Sequence, residues 1–235
     1  MDDFLLTPGQ YERLFAGFLM TVRILGASFA LGIVLSLLVG VARLSQRPWV
    51  RGAALVFVEF ARGISSIILL FVMAYAIPIL FGVEQRNLLV LGSIALGINM
   101  GGYGAEIIRG AILAVPRGQT EASIALNLSE TQRLRHVILP QALRVILPPM
   151  GNLTIEILKG TALVSLIGLG DLLAIANQMR QRVDTVVLFL NVLIAYFVLS
   201  QLINGLFRLA ESRVDRRFES RAAGPDQADT LKAVT

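Results

Sequence analysis

Three pairs of unlike charges lie within or beside long apolar runs of the sequence. They are Glu59 with Arg62, Glu106 with Arg109, and Glu156 with Lys159. Residues at this spacing share one face of a helix, so the members of each pair can contact each other. Because a charge is costly in lipid, such residues face protein, each other or a polar path through the membrane.

Glu156 and Lys159 interrupt their apolar run near its middle, which makes them the preferred candidates for contact with a solute. A zwitterionic solute needs a partner of each sign, and this pair supplies both. A purely structural ion pair explains the two residues equally well. Thr161, Glu59 and Arg62 are further candidates for the solute path, although we expect the other two pairs to be structural and to lie near the membrane interface.

The sequence offers no catalytic constellation. It has no cysteine and a single histidine, His136, so a metal cluster of Cys and His ligands cannot be assembled. The phosphate-binding pattern GxxxxGK[ST] is absent, and no nucleophile can be matched with a base. We therefore expect a chain that is not an enzyme, does not itself hydrolyse ATP, and uses no metal or cofactor.

The composition is that of an integral membrane protein. The 235 residues are 55% hydrophobic and 16% charged, with a mean hydropathy of +0.72, whereas soluble domains carry about 25% charged residues. The net charge of +5 does not indicate nucleic acid binding, because the basic residues cluster at the ends of apolar runs, as orientation signals do.

Five apolar runs predict an all-α protein with about five transmembrane helices, each long enough to cross about 30 Å of hydrocarbon. They cover residues 24–42, 53–80, 88–108, 145–170 and 185–207. The fourth run contains Pro148 and Pro149, and we predict that it is the one bent or broken span. We also predict a short interfacial amphipathic helix within residues 1–20, a transmembrane domain over 21–210, and a basic, then disordered tail over 211–235.

Small residues recur every four positions in two of the runs. The first run contains Ser28, Gly32, Ser36 and Gly40, and the third contains GxxxG at 97–101. Such stripes let another helix approach closely. Packing within one subunit and a seam between two subunits both remain open for these stripes.

The distribution of basic residues predicts the orientation. If the turn near Arg47, the polar segment after the third run and the C-terminal tail are cytoplasmic, most basic residues lie inside. The inner set is Arg43, Arg47, Arg51, Arg109, Arg117, Arg133, Arg135, Arg144, Arg208, Arg213, Arg216, Arg217, Arg221 and Lys232. The outer set is Arg13, Arg86, Arg180 and Arg182. We predict an external N-terminus and a cytoplasmic C-terminus.

A polar segment, VPRGQTEASIALNLSETQRLRHVILP at 115–140, separates the third and fourth runs. It resembles the EAA loop of binding-protein-dependent ABC importer permeases, the cytoplasmic loop that docks on the ATPase. Glu-Ala-Ser at 121–123 stands where the family has Glu-Ala-Ala, and Val-Ile-Leu-Pro at 137–140 where it has Ile-x-Leu-Pro. Asn127 replaces a family Gly, but Asn is the next best residue for a left-handed turn, so the turn can survive.

The resemblance extends over about residues 15–215. GYGAEIIRGAI at 102–112, VILPQALRVILPPMGN at 137–152 and IEILKGTALVSLIGLGDLL at 155–173 are similar to polar amino-acid permeases of the histidine, glutamine and arginine type. Lys-Gly-Thr at 159–161, in place of the usual Lys-Asp-Thr, and Ala-Leu-Asn at 125–127 resemble permease subunits of ectoine/hydroxyectoine importers.

The resemblance implies a type I ABC importer permease fold and a half-transporter in the bacterial inner membrane. Two identical or homologous permease subunits would surround one path for a polar amino acid or similar zwitterion. Each would contact an ABC ATPase through residues 113–140, and an external solute-binding protein would deliver the solute. The implied ATPase contacts are Glu121, Ala122, Ser123, Leu126 and Asn127.

Membrane lipid is the remaining expected partner, and nucleic acid is not one. Two other classes stay open beside the permease: a five-span membrane enzyme or scaffold, and a channel or secondary transporter. The latter would have paired broken helices in an internal repeat, whereas the sequence predicts a single broken span.

Overall fold

The computed structural model describes residues 6–83 and 87–222, with side chains through residue 216. Regular structure in these ranges is helical, which agrees with the predicted all-α class. The helices are α1 (Pro8–Ala42), α2 (Pro48–Gly63), α3 (Ser66–Phe71), α4 (Ile77–Leu80), α5 (Leu88–Leu113), α6 (Arg117–Ala125), α7 (Glu130–Arg133), α8 (Leu139–Gly160), α9 (Leu172–Met179) and α10 (Thr185–Ala222). Wider π-helical turns join α3 to α4 (Val72–Ala76) and α7 to α8 (Leu134–Ile138), and a 3-10 segment (Thr161–Ile167) follows α8.

The long helices α1 and α5 pack side by side and run in the same direction. Residue numbers increase together in the contacting pairs: Leu31 of α1 contacts Gly97 of α5, Leu35 contacts Gly101, and Gly40 contacts Ile108. A Cβ added at Gly101 would lie 2.7 Å from that of Leu35, closer than side-chain atoms can pack. The small-residue stripes therefore serve packing within this chain.

The parallel arrangement of α1 and α5 requires the chain between them to return across the membrane. That return is made by α2 and the α3–α4 segment, which are bent by 101° at the break between them. With this broken pair counted as one span, the described residues contain five helical spans. The predicted number is confirmed.

The break in the second span was not predicted. Ile64 and Ser65 are both extended, with ψ of 137° and 131°, and they separate α2 from α3. The last carbonyls of α2 lose their helical partners there and accept bonds from α5 instead: Asn99 Nδ2 donates to the Ala61 oxygen at 3.2 Å. The sequence prediction of one continuous helix over 53–80 was wrong because this compensation comes from a distant segment.

The predicted break in the fourth span was also wrong. Pro148 and Pro149 lie inside α8, which continues as an α-helix to Gly160 and then tightens into the 3-10 segment. Proline is tolerated inside membrane helices where neighbouring helices support them. Here α8 packs against α5 and α10, and Phe207 of α10 lies directly over Gly151.

Helices run across both of the expected segment boundaries, at residues 20 and 210. At the N-terminus, α1 passes through residue 20 without a break, so the amphipathic segment expected before Met20 belongs to the first span. At the C-terminus, α10 continues to Ala222, so the part of the tail up to that residue is helical. The tail expected to be disordered beyond it lies outside the described residues.

At one end of the bundle, α9 packs across the first turns of α1. Gly17 lies against Asp171 and Leu172, where an added Cβ would be 2.9 Å from the Leu172 Cα. Asp171 is fully buried, and its carboxylate accepts bonds from the Leu173 and Ala174 amides at the start of α9, both at 3.2 Å. Burial raises the pKa of Asp171 to about 6, although the two amide bonds act in the opposite direction.

At the opposite end, ion pairs tie the helices together. Glu106 on α5 contacts Arg109 at 2.9 Å and Arg43, which follows α1, at 3.1 Å. Arg144 on α8 contacts Asp215 on α10 at 3.1 Å. The ends of α1, α5 and α10 and the start of α8 therefore share one side of the bundle, from which α6 also extends.

Candidate functional site

A cavity of about 780 Å³ lies beside the break in the second span. Three parts of the chain form its wall: the broken turn at 62–66, the middle of α5, and the last turns of α8 with the start of the 3-10 segment. Its polar lining residues are Arg62, Ser65, Ser66, Asn99, Tyr103, Glu156 and Lys159. The size suits a small solute, and polar groups on mainly apolar walls are typical of ligand sites.

Glu156 and Lys159 contact each other in the cavity wall. Lys159 Nζ lies 3.4 Å from Glu156 Oε1, a long separation for a charge-assisted bond. The two side chains are 69% and 65% exposed, respectively. The pair is therefore formed, but both groups stay accessible from the cavity.

Arg62 lies in the same cavity and does not pair with Glu59, although the sequence places them at ion-pair spacing. Its guanidinium carbon lies 5.3 Å from the centroid of the Tyr103 ring, a distance at which a cation–π attraction is favourable. The Tyr103 hydroxyl also donates a long bond, 3.5 Å, to the Arg62 carbonyl oxygen. Glu59 is exposed on α2, one turn before, and does not line the cavity.

Thr161 lies outside the cavity, although Glu156 and Lys159, which are close to it in the sequence, line the cavity. Its side chain is fully buried, and its hydroxyl donates to the Leu158 carbonyl at 2.6 Å. The same hydroxyl lies 3.4 Å from that of Tyr196 on α10. Thr161 therefore contributes to the contact between the end of α8 and α10 and does not line the cavity.

Sequence reasoning missed Asn99, Tyr103, Ser65 and Ser66 as lining residues. Asn99 carried a usable signal, since an amide in the middle of an apolar, glycine-rich span is costly unless bonded. The two serines line the cavity only because the helix breaks beside them. The sequence alone therefore does not distinguish them from other small polar residues within a span.

The polar segment between α5 and α8 exposes apolar side chains. Ile124 on the short helix α6 is 54% exposed, and Leu126, directly after this helix, is 74% exposed. Glu121 and Ala122 on α6 are exposed as well. Ser123 is buried and donates to the Thr120 carbonyl. Asn127 has a φ of +56°, so the predicted left-handed turn after α6 is confirmed.

The capping and packing of this segment fix its shape. Ser129 caps α7 because its hydroxyl oxygen accepts a bond from the Gln132 amide at 3.3 Å, and the Gln132 side-chain oxygen accepts a bond from the Ser129 amide at 3.0 Å. Gln141 on α8 donates to the Gln119 side chain at 3.2 Å. The exposed apolar residues of α6 are therefore presented by a folded segment.

Residues 32–216 match the family of binding-protein-dependent transport system inner membrane components. This chain belongs to that family. The resemblance to binding-protein-dependent ABC importer permeases is thereby confirmed, and the protein is a multi-pass component of the inner membrane and a permease of an ABC importer.

Curated members of this permease family are similar over most of their length. A probable amino-acid ABC transporter permease protein of Sinorhizobium fredii, y4tF, is 41% identical over 202 residues, which make up 84% of this chain and 85% of that protein. The glutamine transport system permease protein GlnP of Escherichia coli is 39% identical over 160 residues, 68% of this chain and 73% of that protein. The L-cystine permease TcyB of Bacillus subtilis is 33% identical over 202 residues, 85% of this chain and 86% of that protein.

Solved permease structures share the architecture. An amino acid ABC transporter crystallised with histidines superposes with a TM-score of 0.76 at 30% identity, over 86% of this chain and 94% of that one. The inward-facing MetNI methionine ABC transporter superposes with a TM-score of 0.76 at 23% identity, over 89% of this chain and 99% of that one, which compares the fold alone. The type I ABC importer permease fold is confirmed.

Proposed function

We propose that this permease forms the path for a polar amino acid or an amino-acid-like zwitterion, and that the cavity beside the broken second span holds the solute. The observation that supports this most directly is the set of accessible charges of both signs, Arg62, Glu156 and Lys159, around one cavity. A zwitterion bound there would replace the water that otherwise solvates these groups.

The proposed coupling surface is the exposed side of α6 with the turn that follows it. Glu121, Ala122, Ser123, Leu126 and Asn127 belong to it, and all but Ser123 are exposed. Apolar side chains exposed outside the membrane spans are typical of a protein interface. In this proposal a separate ABC ATPase covers them and supplies the hydrolysis, while this chain remains non-catalytic.

The cavity also favours a second permease subunit, identical or homologous. Glu156 and Lys159 are largely exposed within a span, and charges in that position face another protein surface or a water path. A partner on that side would close the wall. An external solute-binding protein would then deliver the solute to the enclosed path.

The orientation that fits this assembly has the N-terminus outside and the C-terminus in the cytoplasm. The end of the bundle that carries Arg43, Arg109 and Arg144 also carries α6, in keeping with the excess of basic residues on the cytoplasmic side. Reporter fusions after Phe81 and Asp171 should report outside, and fusions at Ser129 inside. The reverse pattern at any of these sites overturns the orientation.

Reconstituted vesicles test the transport and coupling proposals together. The permease, its ATPase and its binding protein should accumulate a labelled amino acid only when ATP is present. Ala122→Trp should abolish uptake, because an overfilled docking pocket costs packing energy, while insertion is unchanged. Ala16→Trp is the matched control. Ala16 is an exposed alanine near the start of α1, at the end of the bundle opposite α6, so this variant should transport normally.

The outcomes separate the remaining classes. Uptake driven by an ion gradient without the ATPase would favour a secondary transporter, and failure to co-purify with any ATPase would favour a membrane enzyme or scaffold. Ectoine belongs among the labelled solutes, because Lys-Gly-Thr at 159–161 and Ala-Leu-Asn at 125–127 resemble ectoine permease subunits. Normal ATP-driven uptake by the Ala122→Trp variant would overturn the assignment of the coupling surface.

A further inference from the structure

The charged groups around the cavity differ in whether they already have an ion-pair partner. Glu156 and Lys159 face each other, whereas Arg62 has no carboxylate within ion-pair distance in the part of the chain whose side chains are described. Its guanidinium contacts the face of Tyr103. A ring face attracts the cation but leaves the edge of the guanidinium, with its N–H donors, open to another group.

Arg62 is also held in place. Asn99 and Tyr103, both on α5, bond to the carbonyls of Ala61 and Arg62 at the end of α2. They fix the backbone at the break, and the Tyr103 ring fixes the side chain. A guanidinium positioned in this way loses little conformational entropy when a carboxylate binds, and a planar carboxylate can accept two parallel bonds from it.

The lining residues carry an excess of positive charge. Arg62 and Lys159 are cationic and Glu156 is the one acidic group among the described lining residues. A second copy of this chain across the path would add the same excess. A solute of net positive charge is therefore repelled, and the repulsion strengthens as the solute displaces the water around these groups.

We propose that the cavity binds its solute by the carboxylate on Arg62 with the ammonium near Glu156, and that it selects neutral and acidic amino acids over cationic ones. The inference rests on the proposed transport function and adds the substrate class. Tyr103 is a positioning residue in it, because it acts through Arg62.

The test uses the purified transporter complex in lipid nanodiscs without its binding protein, so that selectivity at the binding protein does not contribute. Binding of labelled L-glutamine, L-glutamate and L-arginine is measured directly. We expect glutamine and glutamate to bind at least about tenfold more tightly than arginine, because the cationic side chain of arginine adds repulsion from Arg62 and Lys159 to contacts that all three solutes share.

Two sets of variants distinguish Arg62, the proposed ligand of the carboxylate, from Tyr103, the residue that positions it. Arg62→Gln should weaken glutamine and glutamate binding by about tenfold or more and leave arginine binding unchanged or tighter. Arg62→Lys, which keeps the charge, should keep the preference for glutamate over arginine. Tyr103→Phe keeps the ring under Arg62 and loses only the long hydroxyl bond to its carbonyl, so it should lose less affinity than Tyr103→Leu, which removes the ring and should shift affinity in the direction of Arg62→Gln.

The outcomes distinguish this inference from the function on which it rests. Equal binding of arginine and glutamine, or equal loss of both in Arg62→Gln, overturns the charge selection while ATP-driven amino-acid uptake can still be demonstrated. Absence of binding by all three solutes overturns it as well. If ATP-driven uptake is also absent from reconstituted vesicles, the proposed function fails together with it.

Discussion

Two acid–base pairs with the same spacing have different surroundings at the two sites where they occur. Glu106 and Arg109 are shielded at the end of the bundle, where Arg43 contacts the same carboxylate and the three side chains are 15–33% exposed. Glu156 and Lys159 stand 69% and 65% exposed in the cavity wall. The helix spacing alone brings the partners together, and the neighbouring helix decides whether the pair holds the fold or stays available to a solute.

The largest expected effect tests the exposed pair. Lys159→Met should reduce uptake to background and weaken solute-stimulated ATPase activity with assembly intact, because the cavity loses one of its charged contacts. Uptake in vesicles and size-exclusion chromatography of the complex measure the two properties. Lys159→Arg, which keeps the charge, is the control and should retain part of the activity.

The double variant Glu156→Gln with Lys159→Met then decides between the two roles that the sequence left open. If the residues only neutralise each other, removing both restores what the single change lost. If they contact solute, the double variant stays inactive. Restored uptake would therefore leave a structural ion pair and remove both residues from the proposed site.

The next effect tests the shielded pair. Glu106→Gln leaves Arg43 and Arg109 beside each other without their carboxylate, and we expect it to lower the free energy of unfolding by about 2 kcal/mol or more. Glu156→Gln is the matched control at the same spacing, and its exposed position predicts a change within about 0.5 kcal/mol. Unfolding in mixed detergent micelles measures both. Equal losses would show that shielding by Arg43 does not distinguish the pairs.

The smallest effect concerns the buried carboxyl group of Asp171, whose hydrogen-bond partners among the described residues are backbone amides. Folding raises the pKa of Asp171 from 3.8 to about 6, so its protonated form is favoured in the folded state. Its favourable contribution is complete below pH 3.8 and is lost as the pH rises through about 6. The melting temperature should therefore fall as the pH rises from about 4 to about 6 and level off near pH 7.

Asp171→Asn keeps an oxygen that can cap α9 and removes the buried charge. It should raise stability at pH 7 by about 1 kcal/mol and flatten the pH dependence. Asp184→Asn is the control, since this exposed residue caps α10 through the Val186 and Val187 amides and should leave the profile unchanged. A steep profile that persists in Asp171→Asn would assign the titration to another group.

The sequence predicted the features that depend on local chemistry. Charge-free runs located the spans, because a bilayer imposes a minimum apolar length. The turn at Asn127 followed from the few residues that accept a positive φ. The two breaks were assigned wrongly because helix continuity at Pro148 and discontinuity at Ile64 depend on α5 and α10, which lie far away along the chain.

The same limit applies to the candidate site. Arg62, Glu156 and Lys159 could be proposed because charges in apolar runs are conspicuous, and the structure brings these three together. Glu59 and Thr161 share their sequence neighbourhood and lie outside the cavity. Which of them reaches the cavity depends on the direction in which each side chain leaves its helix after the break, and residue type does not reveal this.

The close contact between α1 and α5 fixes the distance between these two helices. Because no methyl group fits between Gly101 and Leu35 or between Gly40 and Ile108, these helices cannot slide or rotate against each other without separating. Spectroscopic labels at exposed positions such as Leu38 on α1 and Leu113 on α5 should therefore keep one distance in every state of a working transporter. A third label on α10 would then report how far α10 moves relative to α1 and α5, because the distance between those two helices stays constant.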